Sequence, residues 1–258
     1  MPKFAANLTM LYNEHAFLDR FDAAAAAGFR GVEFLFPYAF PAEQIAERLT
    51  KHRLALVLHN LPPGNWEAGE RGIACHPNRI GEFQEGVGKA IAYAKVLGVP
   101  QLNCLAGIVP PGVTRETARA TLVENLTFAA GKLEAESLRL LIEPINTFDI
   151  PGFFLSGTRQ AIDLIDETGS ANVFVQYDVY HMQRMEGELA NTIKANLARI
   201  RHLQIADNPG RNEPGTGEIN YSFLFRHIDH LGYDGWIGCE YKPATSTAAG
   251  LSWLAPYR

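Results

Sequence analysis

Apolar and β-branched residues gather in eight short runs along the chain. They are "FAANL" (4–8), "GVEFLF" (31–36), "LALVLHN" (54–60), "PQLNCLA" (100–106), "LRLLIEP" (138–144), "NVFVQYD" (172–178), "RHLQIAD" (201–207) and "GWIGCEY" (235–241). Each is too short for a helix of ordinary length and reads as a strand. Between them lie longer segments with apolar residues at helical spacing. In "EHAFLDRFDAAAAAG" (14–28), Phe17, Leu18 and Phe21 share a face and Gly28 is placed to stop the helix. Further helices are predicted over 41–52, 79–98, 114–136, 157–169, 187–199 and 221–232. Strand–helix alternation predicts a parallel sheet. Eight such units in 258 residues predict a closed (β/α)8 TIM barrel, a single domain over 1–258.

The connections point the same way. Helix-to-strand links are short, whereas strand-to-helix links are long at 61–78, 144–156 and 208–220. In a (β/α)8 barrel those loops build the catalytic face.

Polar residues close the later strands. The run "LRLLI" meets Glu143 and then Pro144, which has no amide hydrogen to extend a ladder. Asp178 ends the sixth run, Gln204 lies near the end of the seventh, and Glu240 ends the eighth. Four consecutive strands thus aim an oxygen donor at one mouth. Three converging carboxylates repel one another and take up protons unless a cation joins them. Hard oxygen donors, with no thiol or imidazole required, favour Mg2+ or Mn2+ over zinc.

Composition narrows the function classes. The chain is 47 % hydrophobic and 20 % charged, enough to build a large core. Its net charge of -5 argues against gripping nucleic acid through phosphates. Three cysteines, Cys75, Cys104 and Cys239, form no C-x-x-C and predict neither a disulfide framework nor a structural zinc site. No apolar run is long enough to span a membrane, and the opening residues lack a signal-peptide core, so the expectation is a reduced, cytoplasmic protein. Homo-oligomerisation is left open. The "PGTG" and "GTGE" stretches lack the spacing of phosphate loops, and no nucleotide or organic cofactor is expected. Cys239, beside Glu240, should face the helices.

Longer blocks carry a resemblance. "LLIEPIN", "QYDVYHMQRMEG", "HLQIADNPGRNEPGTGEINY" and "GWIGCEYKP", with "NLTMLY", "FRGVEFLFPY" and "LHNLPPGNWEAGERGIA", resemble the hydroxypyruvate isomerase family of xylose-isomerase-like barrels, essentially end to end. That family has a close branch acting on 2-oxo-tetronates. The resemblance implies Glu143 and Glu240 as the acid/base pair, with Glu143, Asp178, Gln204 and Glu240 around the metal. Related sugar epimerases often carry histidine where Gln204 stands, a stronger ligand than a neutral amide. Elementary chemistry agrees: moving a carbonyl to the next carbon takes one proton off carbon and returns one through an enediol, and two carboxylates can carry both.

The resemblance also implies an anionic hydroxy-oxo acid as the small-molecule substrate, and with it a cation at the mouth. Arg211, in a loop rich in turn residues, suits a carboxylate, and Arg71 and Lys242 compete for that role. In related isomerases the residue matching His181 touches substrate oxygens. His59, ending the third run, is expected at the pocket wall. Asp207 has two candidate partners, His202 and Arg211. Trp66, Phe36 and Tyr38 are candidate pocket walls. The expected reaction is isomerisation of a 2-oxo-tetronate, with hydroxypyruvate as the runner-up substrate. More distant readings on the same barrel are an apurinic-site nuclease, a sugar-acid dehydratase and a sugar-acid binding protein.

Overall fold

A computed structural model describes residues 1–257. Eight parallel strands close into a barrel in chain order, with the first pairing both the second and the eighth. They are β1 (Lys3–Asn7), β2 (Gly31–Glu33), β3 (Ala55–Asn60), β4 (Gln101–Cys104), β5 (Arg139–Ile142), β6 (Val173–Asp178), β7 (Ile200–Ile205) and β8 (Trp236–Cys239). Each lies within a run read from the sequence or starts one residue before it. The helices are α1 (Arg20–Ala26), α2 (Ala42–His52), α3 (Ile80–Leu97), α4 (Arg115–Glu134), α5 (Thr158–Thr168), α6 (Val179–Met185), α7 (Leu189–Asn196) and α8 (Tyr221–His230). No helix among the described residues is long and apolar enough to cross a membrane.

Local chemistry sets the helix ends. Gly28 adopts φ 89 and the Phe29 amide returns to the Ala24 carbonyl, which closes α1 as expected. Thr114 caps α4 by accepting from the Thr117 amide. The helix predicted over 187–199 is α7, and a short helix that the sequence pattern did not show, α6, precedes it. α6 begins directly on Asp178, and the Glu186 and Gly187 amides both fold back to the Met182 carbonyl. Gly187, at φ 69, then turns the chain into α7. Seven residues are too few to show helical periodicity, so α6 escaped the sequence pattern.

The main core lies between strands and helices. It takes in Cys75, Cys104 and Cys239, all buried and free. The C-terminal turns at Ala249–Tyr257 add Trp253 and Tyr257, whose rings meet Phe4 at 5.0 and 5.5 Å.

Inside the barrel there are two layers. Near the strand starts, Ala5, Val57, Leu58 and Leu141 form an apolar plug with Phe174 and Trp236 against it. Above the plug the filling is polar. Glu33 on β2 is fully buried and accepts from Asn7 Nδ2 (2.9 Å) and Gln204 Nε2 (2.8 Å), with His202 Nε2 at 2.6 Å. Three partners satisfy a carboxylate that burial would otherwise penalise heavily. Gly238 on β8 makes the room: a Cβ there would stand 2.3 Å from Glu33 Oε1.

Gly238→Ala is therefore predicted to lower stability by about 1–3 kcal/mol, the usual cost of overpacking, because the thrice-bonded Glu33 cannot swing aside. An unchanged urea midpoint would show that the layer yields more easily than its hydrogen bonds imply.

Candidate active site

A cavity of about 720 Å³ opens above the polar layer, at the ends of the strands where the long loops gather. Glu143, one residue past β5, lines it and receives Asn103 Nδ2 on Oε2 at 3.0 Å. Glu240, one residue past β8 and three strands further round the ring, lines the cavity too. Asp178 is the last residue of β6 and also caps α6, its Oδ1 accepting from the Tyr180 amide (2.8 Å) and the His181 amide (3.4 Å). Its Oδ2 is buried and has no hydrogen-bond partner among the described residues. Gln204 lines the cavity as well; its Nε2 donates to Glu33, and its Oε1 accepts from Gln176 Nε2 at 2.6 Å.

Burial dominates the electrostatics. It pushes Glu143 well above the usual carboxylate range, helped by the Glu240 and Asp178 charges. Glu240 is pushed up to about 8 by burial, against the lowering pull of Arg211, and Asp178 up to about 6 against the same pull. His181, buried on α6, is held well below its usual value by burial and then by Arg211. Its Nε2 lies 3.5 Å from Asp178 Oδ2 and 3.9 Å from Glu143 Oε1.

These groups fit a divalent cation. Glu143, Asp178 and His181 each bring one potential ligand atom within 4.8 Å of the others. Asp178 Oδ2 adds to this: it is buried without a hydrogen bond and has only the longer approaches of His181 Nε2 (3.5 Å) and Arg211 Nη2 (3.9 Å), which leaves it a lone pair for a cation. This close-set trio overlaps the set read from the sequence in Glu143 and Asp178. Gln204 and Glu240 join the same cavity, but Glu240 Oε1 is paired with Arg211 Nη2 at 2.8 Å.

The cations sort themselves by what they already hold. Arg211 binds Glu240, sits 3.9 Å from Asp178 and lies over the Tyr180 ring at 5.1 Å. Arg71 lies over Trp66, its guanidinium carbon 4.1 Å from the ring centre. Its Nη1 donates to the carbonyls of Trp66 (3.0 Å) and Glu70 (2.8 Å). Its Nε and Nη2 hydrogens, which form the side-on fork of a guanidinium, have no hydrogen-bond partner among the described residues. Lys242 is exposed at the rim. His59 is not at the wall: its neighbours Leu58 and Asn60 line the cavity, while its buried ring packs beside Phe34 and Tyr38. Of the candidate aromatic walls, Phe36 and Trp66 line the cavity; Tyr38 instead donates to the Asn60 carbonyl.

Asp207 serves neither His202 nor Arg211 with its side chain. It accepts from the amides of Asn208, Gly215, Gly217 and Ile219 and so gathers the loop after β7. Within that loop Arg211 adopts φ 55, with its amide on the Asp207 carbonyl and its carbonyl taking the Lys242 amide. Two residues that support this site escaped the sequence pattern: Glu33, and Asn146, whose Nδ2 lies 2.6 Å from His181 Nδ1. The signal for Glu33 was an acid inside the apolar run "GVEFLF".

Known proteins bear on this geometry. The chain matches the family described as xylose isomerase-like TIM barrel over residues 21–257. It belongs to that family. It is 58% identical over 258 residues to hydroxypyruvate isomerase of Escherichia coli (strain K12), with all of both chains covered. It is 52% identical over 257 residues to 2-oxo-tetronate isomerase of Cupriavidus necator, covering 100% of this chain and 99% of that one. The crystal structure of a protein named AP endonuclease, family 2, from Brucella melitensis superposes with a TM-score of 0.98 at 46% identity, over 100% of both chains. The 3-keto-D-glucoside 4-epimerase of E. coli, at 19% identity and a TM-score of 0.82 over 99% of both chains, shares the fold. Kinship at this level over the full length makes the chain an enzyme of the isomerase class.

Replacing Asp207 by asparagine is predicted to loosen the loop of this isomerase. An amide presents one oxygen and one competing donor to four backbone amides, and charge-assisted bonds of this kind are worth roughly 1.5–3 kcal/mol each. Limited proteolysis should cut the variant faster within 208–220; equal cutting of both proteins would mean that the loop is held by other contacts.

Proposed function

We propose that the enzyme moves the carbonyl of a short hydroxy-oxo acid to the neighbouring carbon, with a 2-oxo-tetronate as substrate. The observation that carries this reading is the pair of buried carboxylates, Glu143 and Glu240, that face one cavity from the ends of β5 and β8. Two such groups can pass protons to and from adjacent carbons. One carboxylate takes a proton from one carbon as the other serves its neighbour, and an enediol lies between the two carbonyl forms.

Glu143, Asp178, Gln204 and Glu240 would hold Mg2+ or Mn2+. Such an ion, when bound, supplies positive charge that polarises the carbonyl and the adjacent hydroxyl. Glu33 accepts from the Gln204 nitrogen, and the Gln204 oxygen, which accepts from Gln176, keeps a second lone pair for the ion. Arg71 offers its unpaired fork to the substrate carboxylate, with Trp66 packed against one face of the guanidinium. Arg211, already paired with Glu240, holds the charge of the acidic wall in balance.

Hydroxypyruvate is the second reading, favoured by the 58% identity to an isomerase named for it. The cavity, about 720 Å³, has room for a three-carbon acid and equally for a fourth carbon and its hydroxyl. Nuclease chemistry, which the name of the Brucella protein suggests, fits poorly: a net charge of -5 and a mouth ringed by acids repel a phosphate backbone. Incubating the enzyme with three- to six-carbon oxo acids and sugars, with and without Mg2+ or Mn2+, and following the carbonyl by NMR tests the reading. Loss of water rather than migration of the carbonyl would point to a dehydratase instead.

Glu143→Gln and Glu240→Gln should each lose about 10²- to 10⁴-fold in kcat, the usual worth of general acid–base catalysis. Each keeps an oxygen for coordination, so the assays use saturating metal. Near-normal turnover of both would sink the proton-carrying role and leave the pair as ligands only. Arg71→Ala should raise KM for an oxo acid about tenfold or more, with a much smaller effect on a neutral sugar. Equal effects on both substrates would assign the carboxylate to another cation.

A further inference from the structure

Asn146, in the loop between β5 and α5, is fully buried and uses every hydrogen-bonding capacity of its side-chain amide. Its Oδ1 accepts from the backbone amides of Phe148 (3.1 Å) and Asp149 (2.8 Å). Those are donors only, so they settle which end of the amide is oxygen. Its Nδ2 must then face the other way, where one hydrogen reaches Asp149 Oδ2 at 3.0 Å and the other meets His181 Nδ1 at 2.6 Å. Asp149 is tied in turn, accepting from the Tyr180 hydroxyl at 2.9 Å and pairing with Arg184.

A ring nitrogen that accepts a hydrogen bond carries no proton. In a neutral imidazole the proton must then sit on the other nitrogen, and the partner of one nitrogen decides the state of the second. We propose that Asn146 is a positioning residue that locks His181 as the Nε2–H tautomer, so that His181 presents a hydrogen-bond donor, not a metal ligand, to the reacting oxygens. Nε2 faces the cavity side, 3.5 Å from Asp178 Oδ2 and 3.9 Å from Glu143 Oε1, both acceptors. A ligand needs a lone pair there, and the lock removes it. This separates His181 from the trio that proximity alone would select and leaves the cation to oxygen donors. It rests on the carbonyl-shifting reading for what Nε2–H does: a donor fixed beside the oxygen that gains charge as a proton leaves carbon.

The test reads the tautomer directly, without substrate or metal. Two-bond 1H–15N correlation spectra of the labelled enzyme at neutral pH, with His181 assigned by its loss in His181→Gln, should show Nδ1 unprotonated and Nε2 protonated. Asn146→Asp, combined with Asp149→Asn so that no second carboxylate faces the new one, keeps an oxygen for the backbone amides of residues 148 and 149 but faces Nδ1 with an acceptor, so the proton should move onto Nδ1. In that variant kcat should fall by roughly 10²- to 10³-fold, the cost of losing one fixed donor to a developing oxyanion. A wild-type His181 protonated on Nδ1, or on both nitrogens, overturns the proposal whatever the variants do. A doubly substituted protein that keeps the wild-type tautomer overturns the role of Asn146. The expected tautomers with no carbonyl migration on any oxo acid would instead overturn the functional reading and leave the lock standing.

Discussion

Burying acids at the mouth of a barrel is the constraint on which this structure turns. Glu33, Glu143, Asp178 and Glu240 are all nearly inaccessible, and each had to be given partners or a raised proton affinity. Glu33 is the fully satisfied case, with three partners inside the barrel. Asp178 is the half-satisfied case, with one oxygen capping α6 and the other making no hydrogen bond. Glu143 and Glu240 are the case in which burial shows as raised proton affinity. The gradient runs from settled charge in the interior to unsettled charge at the cavity, where chemistry needs it.

The neutral amides around these acids act as orienting devices. Asn103 directs one oxygen of Glu143, Glu33 turns the amide of Gln204, and Asn146 faces His181. An amide has a donor end and an acceptor end, so fixing one end decides the other. A polar interior is a poor way to gain stability, since apolar filling often does as well. It is a good way to hold a few side chains in one arrangement. The apolar plug beneath and the Gly238 cradle supply the packing that the polar layer lacks.

The loops divide the remaining work. The loop after β7, gathered on Asp207, sets Arg211 against the acids. The loop after β3 sets Arg71 on Trp66 with a free fork. Two arginines of equal charge thus differ in availability: Arg211 is set among acids with only its buried Nε unpaired, whereas Arg71 keeps a fork.

The sequence by itself determined the barrel. Eight short apolar runs, intervening helical spacing and long strand-to-helix links are local patterns, and local patterns survive without coordinates. It also determined that Glu143, Asp178, Gln204 and Glu240 stand at or near strand ends, because Pro144 and the turn residues mark where the runs stop. Only the tertiary structure decided which way each side chain points and what it meets. The register of β3 against β2 slips between Val32 and Glu33, so that Leu58 and Asn60 line the cavity while His59 does not. Glu33 and Gln204 are 171 positions apart and touch only because the barrel closes. Arg211 was readable as a cation near the mouth, but its engagement with Glu240 was not, since pairing depends on distances that no one-dimensional spacing encodes. Asn146 followed Glu143 in plain view as part of "EPIN"; its role emerged only when folding brought His181 to its amide nitrogen.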